Sequence, residues 1–146
     1  MPAGETKTPS QARALANLKG MVMIVTDVAF ARSEIHQELT KAGARAVAGV
    51  EDNIAALQTL RDSPDRWGLV ICDIDVGGLR LLRGLRNDLS LPESLRAVPF
   101  IMLATEPTAA HVSDIRAAGA DGVVAKPFNG AKLISTTLKA LAARHK

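Results

Sequence analysis

Cysteine is nearly absent: Cys72 is the single one in 146 residues. One thiol cannot form an intramolecular disulfide, and it excludes a metal site built on two thiolates. It agrees with a reducing compartment, and a cytoplasmic location is the expectation. Aromatic residues are almost as scarce. There is no tyrosine, Trp67 is the one tryptophan, and Phe30, Phe100 and Phe128 are the three phenylalanines. So few rings offer no stacking platform for single-stranded nucleic acid. Charge of one sign is also in short supply, since 18 Lys and Arg against 15 Asp and Glu leave a net charge of +3. Nucleic acid is therefore not an expected partner. No apolar run approaches the ~18 residues of a bilayer-crossing helix, so no membrane is expected either. Met1 to Ser10 is polar and reads as a loose tail, not a signal peptide. His36, His111 and His145 fall in unrelated segments without ligand spacing, which speaks against zinc and histidine catalysis. No glycine-rich phosphate loop and no nucleophile elbow occur.

What remains is an ordinary globular composition, 47% hydrophobic and 23% charged. The length fits one domain, taken here as residues 21–146 behind an N-terminal tail of residues 1–20. Gln11 to Lys19 carries Ala and Leu at helical spacing and predicts a short helix within that tail. Five short apolar runs follow: Met21 to Val25, Ala46 to Val50, Leu69 to Cys72, Phe100 to Leu103 and Val123 to Ala125. Most lack alternation, as expected of strands buried on both faces. Between them lie helical spacings: Ile35, Leu39 and Ala42; Ile54, Leu57 and Leu60; Leu79, Leu82 and Leu85; Val112, Ile115 and Ala118; Leu133, Thr137, Leu138 and Leu141. Parallel neighbours need helical crossovers, so the alternation predicts a doubly wound α/β fold, a five-stranded parallel sheet with helices on both faces. Gly43, Gly119 and Gly130 mark element boundaries, and Asn129 can cap the final helix. Pro92 and Pro99 bound an irregular stretch ahead of the fourth strand.

Open parallel sheets gather ligands beyond the carboxyl ends of their strands. There the first strand offers Thr26 and Asp27, the third Asp73 followed by Asp75, the fourth Ala104, Thr105 and Glu106, and the fifth Lys126 and Pro127. Packed carboxylates repel unless a cation neutralises them. A hard ion such as Mg²⁺ suits such an oxygen site. A carboxylate can then act as nucleophile toward a phosphoryl group, with metal and lysine stabilising the added charge.

This order resembles the CheY-like receiver family of response regulators: an acid after strand one, Asp after strand three, a hydroxyl near strand four, Lys-Pro after strand five. The likeness runs from about Met21 to Leu141. Its strongest segments are Val70 to Asp73, Gly78 to Arg86, Pro99 to Leu103 and Ala118 to Phe128. The resemblance implies a flavodoxin-like fold and no enzymatic activity of the ordinary kind. It implies Asp73 as phosphoryl acceptor, and Lys126 as the lysine that bonds the phosphoryl group, with Thr105 the hydroxyl nearby. It further implies Mg²⁺ on the carboxylates of Asp27 and Asp73 and the backbone carbonyl of Asp75, and a cis peptide at Lys126-Pro127. The implied partners are a histidine kinase or phosphotransfer protein and a downstream protein target, with a homodimer left open. Nothing in the sequence follows Lys146, so output by protein contact is the expectation.

Four departures from the family pattern stand out. Thr26 occupies a usual second acid position. The loop after Asp73 (Ile-Asp-Val-Gly-Gly) is about three residues short, so Gly77 and Gly78 are read as a tight turn. Ala104 replaces the switch hydroxyl, and Val123 replaces the aromatic that moves with it. Thr26, Ala104 and Val123 favour a second class of function, a phosphorylation-independent binding module that recognises a protein or an anionic nucleotide.

Plainer readings exist for each residue. Asp73 could be a strand-end acid in a polar rim, Asp27 a helix cap, Asp75 an exposed loop acid, Lys126 a surface lysine. Cys72 is most simply a small core residue. Arg80, Arg83 and Arg86 recur at helical spacing; a solvated outer face explains them, or else a surface for anions and acidic partners.

Overall fold

The computed structural model describes residues 13–144. Five strands form one parallel sheet in the order β2-β1-β3-β4-β5. They are β1 (Met21–Val25), β2 (Val47–Val50), β3 (Trp67–Asp73), β4 (Phe100–Thr105) and β5 (Gly122–Lys126). The crossovers are α1 (Ala29–Lys41), α2 (Asn53–Asp62), α3 (Gly78–Asn87), the single-turn α4 (Glu93–Arg96), α5 (Ala109–Ala117) and, after β5, α6 (Gly130–Arg144). The doubly wound architecture read from the sequence is the one observed. None of the described helices is long and apolar enough to cross a membrane.

The central strands read as continuous apolar runs because both of their faces are covered. Val22, Ile24, Leu69, Ile71, Ile101, Leu103 and Val124 pack with Ile35 and Leu39 of α1 and Leu133 and Ile134 of α6. Met23, Val25, Val70, Cys72, Phe100 and Met102 pack on the other side with α2 to α5, through Leu60, Leu82, Leu85, Leu95 and Ile115. Helix starts follow local chemistry. Asp52 accepts a hydrogen bond from Ala55 N at 2.9 Å, Thr108 from His111 N at 3.1 Å, and Asn129 from Lys132 N at 2.7 Å.

Several expectations need correction. Residues 13–17 form hydrogen-bonded turns and not a helix, with Ala16 N donating to Arg13 O and Leu18 N to Leu15 O. Gln11 and Ala12 lie outside the described residues. The stretch between Pro92 and Pro99 holds a helical turn whose Leu95 is buried. In α2 the core face is Ala56 and Leu60, whereas Ile54 is 68% exposed.

The arginine stripe is not one surface. Arg80 and Arg83 are exposed, but Arg86 turns inward. It donates to Gly119 O (3.1 Å), Arg96 O (2.8 Å) and Asp121 Oδ2 (3.2 Å). Asp121 also accepts from Phe100 N at 2.9 Å and Arg144 Nε at 2.7 Å. Burial, with Arg144 nearby, lowers the Arg86 pKa to about 10 against the opposing pull of Asp121.

The shortened loop after Asp73 becomes a 3₁₀ turn, Ile74–Val76, that feeds α3 directly. Gly77 takes φ +86, and a Cβ there would lie 2.5 Å from Asn53 Oδ1. A Cβ on Gly78 would stand 2.9 Å from Asp73 O and 2.6 Å from Met102 Sδ. The glycine pair is thus sterically required. Gly78→Ala is expected to lower stability by about 1–3 kcal/mol, because backbone on one side cannot yield. A thermal midpoint unchanged from wild type would show that the turn has slack.

Candidate functional site

Parallel register assembles the site at the carboxyl edge. Val25 of β1 pairs with Cys72 of β3, Asp73 with Leu103 of β4, and Thr105 with Lys126 of β5. Alternation along each strand then sends Thr26, Asp73, Thr105 and Lys126 to the same face as Ile24, Ile71, Leu103 and Val124.

Asp73 is the centre. It is 4% exposed. Lys126 Nζ lies 2.8 Å from each of its carboxylate oxygens and 3.2 Å from Asp75 Oδ2. The buried Thr26 hydroxyl donates to Asp73 Oδ2 at 3.3 Å. Asp75 N donates to Asp73 Oδ1 at 2.9 Å, so Asp73 also caps its own 3₁₀ turn. Burial works against the Lys126 ammonium, but hydrogen bonds and charge from Asp73 and Asp75 outweigh it and raise its pKa. Two carboxylates share one ammonium, so the cluster keeps a negative excess that favours a further cation. The Cys72 thiol is pushed far up by burial and by the charge of Asp73, so it stays a protonated core residue.

The structure thus joins Asp73, Lys126 and Asp75 and adds Thr26, which sequence reasoning had counted only as a missing acid. The register, Thr26 one residue beyond the Val25–Cys72 pair, was the signal that could have found it. Asp75 contributes its side chain to Lys126, an exposed contact. Asp27 is exposed and has no hydrogen-bond or ion-pair partner among the described residues. It does not cap α1, whose N-cap is Val28. Thr105 stands in register with Lys126, but its exposed hydroxyl makes no hydrogen bond among the described residues. Directly after it Glu106 adopts φ +43, a left-handed backbone that ordinary side chains rarely take. Ala104 is buried, and its methyl offers no hydrogen bond to the cluster. Lys126-Pro127 is cis. His36 and His111 lie on separate helices, and His145 falls outside the described residues.

No three His, Cys, Asp or Glu residues cluster as metal ligands among the described residues. The groups with the right chemistry to hold a hard divalent ion would be the Asp27 carboxylate, which has no partner among the described residues, Asp73 and the Asp75 carbonyl, beside the uncompensated charge just described. With two carboxylates such a site would be weak, and most of the ion's ligands would be water.

Removing Lys126 would strand a buried carboxylate. Lys126→Met is expected to cost about 1–3 kcal/mol without metal. Asp73→Asn in the same chain should recover most of that, and additive losses in the double-mutant cycle would refute the coupling. The raised lysine pKa also fixes a pH window. The pair's contribution is complete below the ordinary lysine range and fades as pH climbs through the raised value. Urea midpoints of wild type and Lys126→Met should converge only in strong alkali.

Known proteins share this fold. The family model described as Response regulator receiver domain matches residues 22–138. Chemotaxis protein CheY-3 of Vibrio cholerae is 26% identical over 123 residues, spanning 82% of this chain and 90% of the relative. The high resolution structure of chemotaxis response regulator CheY4 of Vibrio cholerae is 26% identical, with a TM-score of 0.68 over 86% of this chain and 98% of that one. A signal receiver domain of a signal transduction histidine kinase from Syntrophus aciditrophicus is 25% identical, with a TM-score of 0.70 over 85% of this chain and 91% of that one. With the family model covering most of its length and the strand-end cluster in place, the chain belongs to the response regulator receiver domain family of two-component signalling.

Proposed function

We propose that this receiver domain takes a phosphoryl group onto Asp73 from a histidine kinase or phosphotransfer protein and acts by contact with a downstream protein. The observation that carries this reading is the buried Asp73 carboxylate held on both oxygens by Lys126. An oxygen of Asp73 attacks phosphorus, and the donor departs with the electron pair of its broken bond to phosphorus. Lys126 then faces new anionic oxygens in place of the carboxylate it now neutralises. Asp27, Asp73 and the Asp75 carbonyl are the groups to hold Mg²⁺, which when bound supplies positive charge to the phosphoryl oxygens. Thr26 keeps the acceptor carboxylate oriented through its hydroxyl. Thr105 stands in register with the lysine on the neighbouring strand and offers a backbone or hydroxyl contact near the new group.

A second reading, a binding module that has lost phosphorylation, draws support from Ala104, Val123 and Thr26. The two readings part in one assay. Incubated with Mg²⁺ and a small phosphodonor, the protein should gain the mass of one phosphoryl group, labile to base and absent in Asp73→Asn. No gain at saturating donor would favour the second reading.

Ala104 and Val123 also limit what phosphorylation can do. Without the hydroxyl's hydrogen bond the shift between states should shrink by about 1–2 kcal/mol. Beryllofluoride with Mg²⁺ should therefore move amides near Asp73 and α3 and leave α5, β5 and α6 little changed. Strong concerted shifts from His111 through Lys139 would contradict this.

A further inference from the structure

A cleft of about 270 Å³ runs between α2 and α3. Its walls are apolar, with Ile54 and Leu57 on one side and Leu81 on the other. Gly84 leaves the floor open, since a Cβ there would meet no heavy atom within 4 Å. Ile54, turned away from the core, faces this space. The rim is basic. Arg61 and Arg80 line it, and Arg83 follows one turn along the exposed side of α3. Arg80 and Arg83 have no hydrogen-bond or ion-pair partner among the described residues. Arg61 reaches Asp88 at 3.1 Å with half of its side chain still in solvent. No carboxylate lines the cleft, and Asp52 and Asp88 at the helix ends are engaged by Ala55 N and Arg61.

We propose that this cleft is the docking surface for an acidic amphipathic helix of another protein. Two parallel helix ridges with a missing side chain between them form a groove that accepts the apolar ridge of a third helix. Unpaired guanidinium groups at the rim select carboxylates on that helix and steer its approach. Leu15, ahead of β1, packs on the opposite sheet face beside Ile35 and Leu39. The cleft also adjoins the acceptor: Asn53 at the head of α2 packs on Gly77, and α3 begins against the Asp73 carbonyl. The proposal rests on the reading that the domain acts by protein contact. It does not require Asp73 to be phosphorylated.

The test is selection of a displayed library of helical peptides on the full chain, followed by chemical-shift mapping of the strongest binder. Selected peptides should carry Leu or Ile at i, i+3 and i+4 with Asp or Glu alongside, and should shift amides of residues 53–61 and 80–84. R80E/R83E and Gly84→Leu should each weaken binding about tenfold or more, and added salt should weaken it further. Gly84→Leu projects into open space, so its melting curve should match wild type while binding falls. No binders, binders without acidic residues, or binders indifferent to both variants would overturn the proposal. The mass assay on R80E/R83E keeps the phosphorylation reading separate, because its adduct yield should equal that of wild type whatever the peptides do.

Discussion

A carboxylate withdrawn from water at the end of an apolar strand is tolerable only beside an opposite charge. Asp73 meets that condition through Lys126, two strands away in the sheet and 53 residues away in the chain. Neither side chain could reach the other if β4 and β5 were shifted by one residue, because the lysine would then leave by the other face. The register of β3, β4 and β5 is thus bound to the chemistry of one ion pair. Thr26 joins from β1 for the same reason, its hydroxyl directed at the carboxylate by the pairing of β1 with β3.

The opposite edge of the sheet has its own charged junction. Asp121 binds Arg86, Arg144 and the backbone of Phe100, so the end of α3, the end of α6, the start of β4 and the approach to β5 meet at one carboxylate. A guanidinium suits this place because its fork addresses two carbonyls and an acid at once. Its side chain is 12% exposed. A lysine there would bring a point charge in place of the planar fork and could not keep the same set of contacts. The first polar cluster lies at the carboxyl edge of the sheet, and the second joins helices that share no direct sequence neighbour.

Much of this was legible in the sequence. Uninterrupted apolar runs gave all five strands, because buried parallel strands have no polar face to hide. The meeting of Asp73, Asp75 and Lys126 at one sheet edge was legible from their places after those runs and from the family likeness. Side-chain direction on short helices was not. In α2 the periodic set Ile54, Leu57 and Leu60 shares a helical face as well as Ala56 and Leu60 do, and only packing against β1 and α3 decides between them. Arg86 misled for a similar reason, since its spacing matches Arg80 and Arg83 while its partner Asp121 lies 35 residues on. Thr26 was read by the charge it lacks, and its donor role needed a register that no local pattern encodes.

The brevity of the loop after Asp73 has a mechanical consequence. Helix α3 is seated at its head against the Asp73 carbonyl by Gly78 and pinned at its tail by Arg86. Only Gly77 separates the 3₁₀ turn from α3, which leaves little slack in which a disturbance at the head could dissipate. The helix behaves as a strut between two fixed bearings, so displacement at one bearing becomes a tilt about the other. A shorter connection thus makes for a stiffer transmission, with Arg86 as its fulcrum.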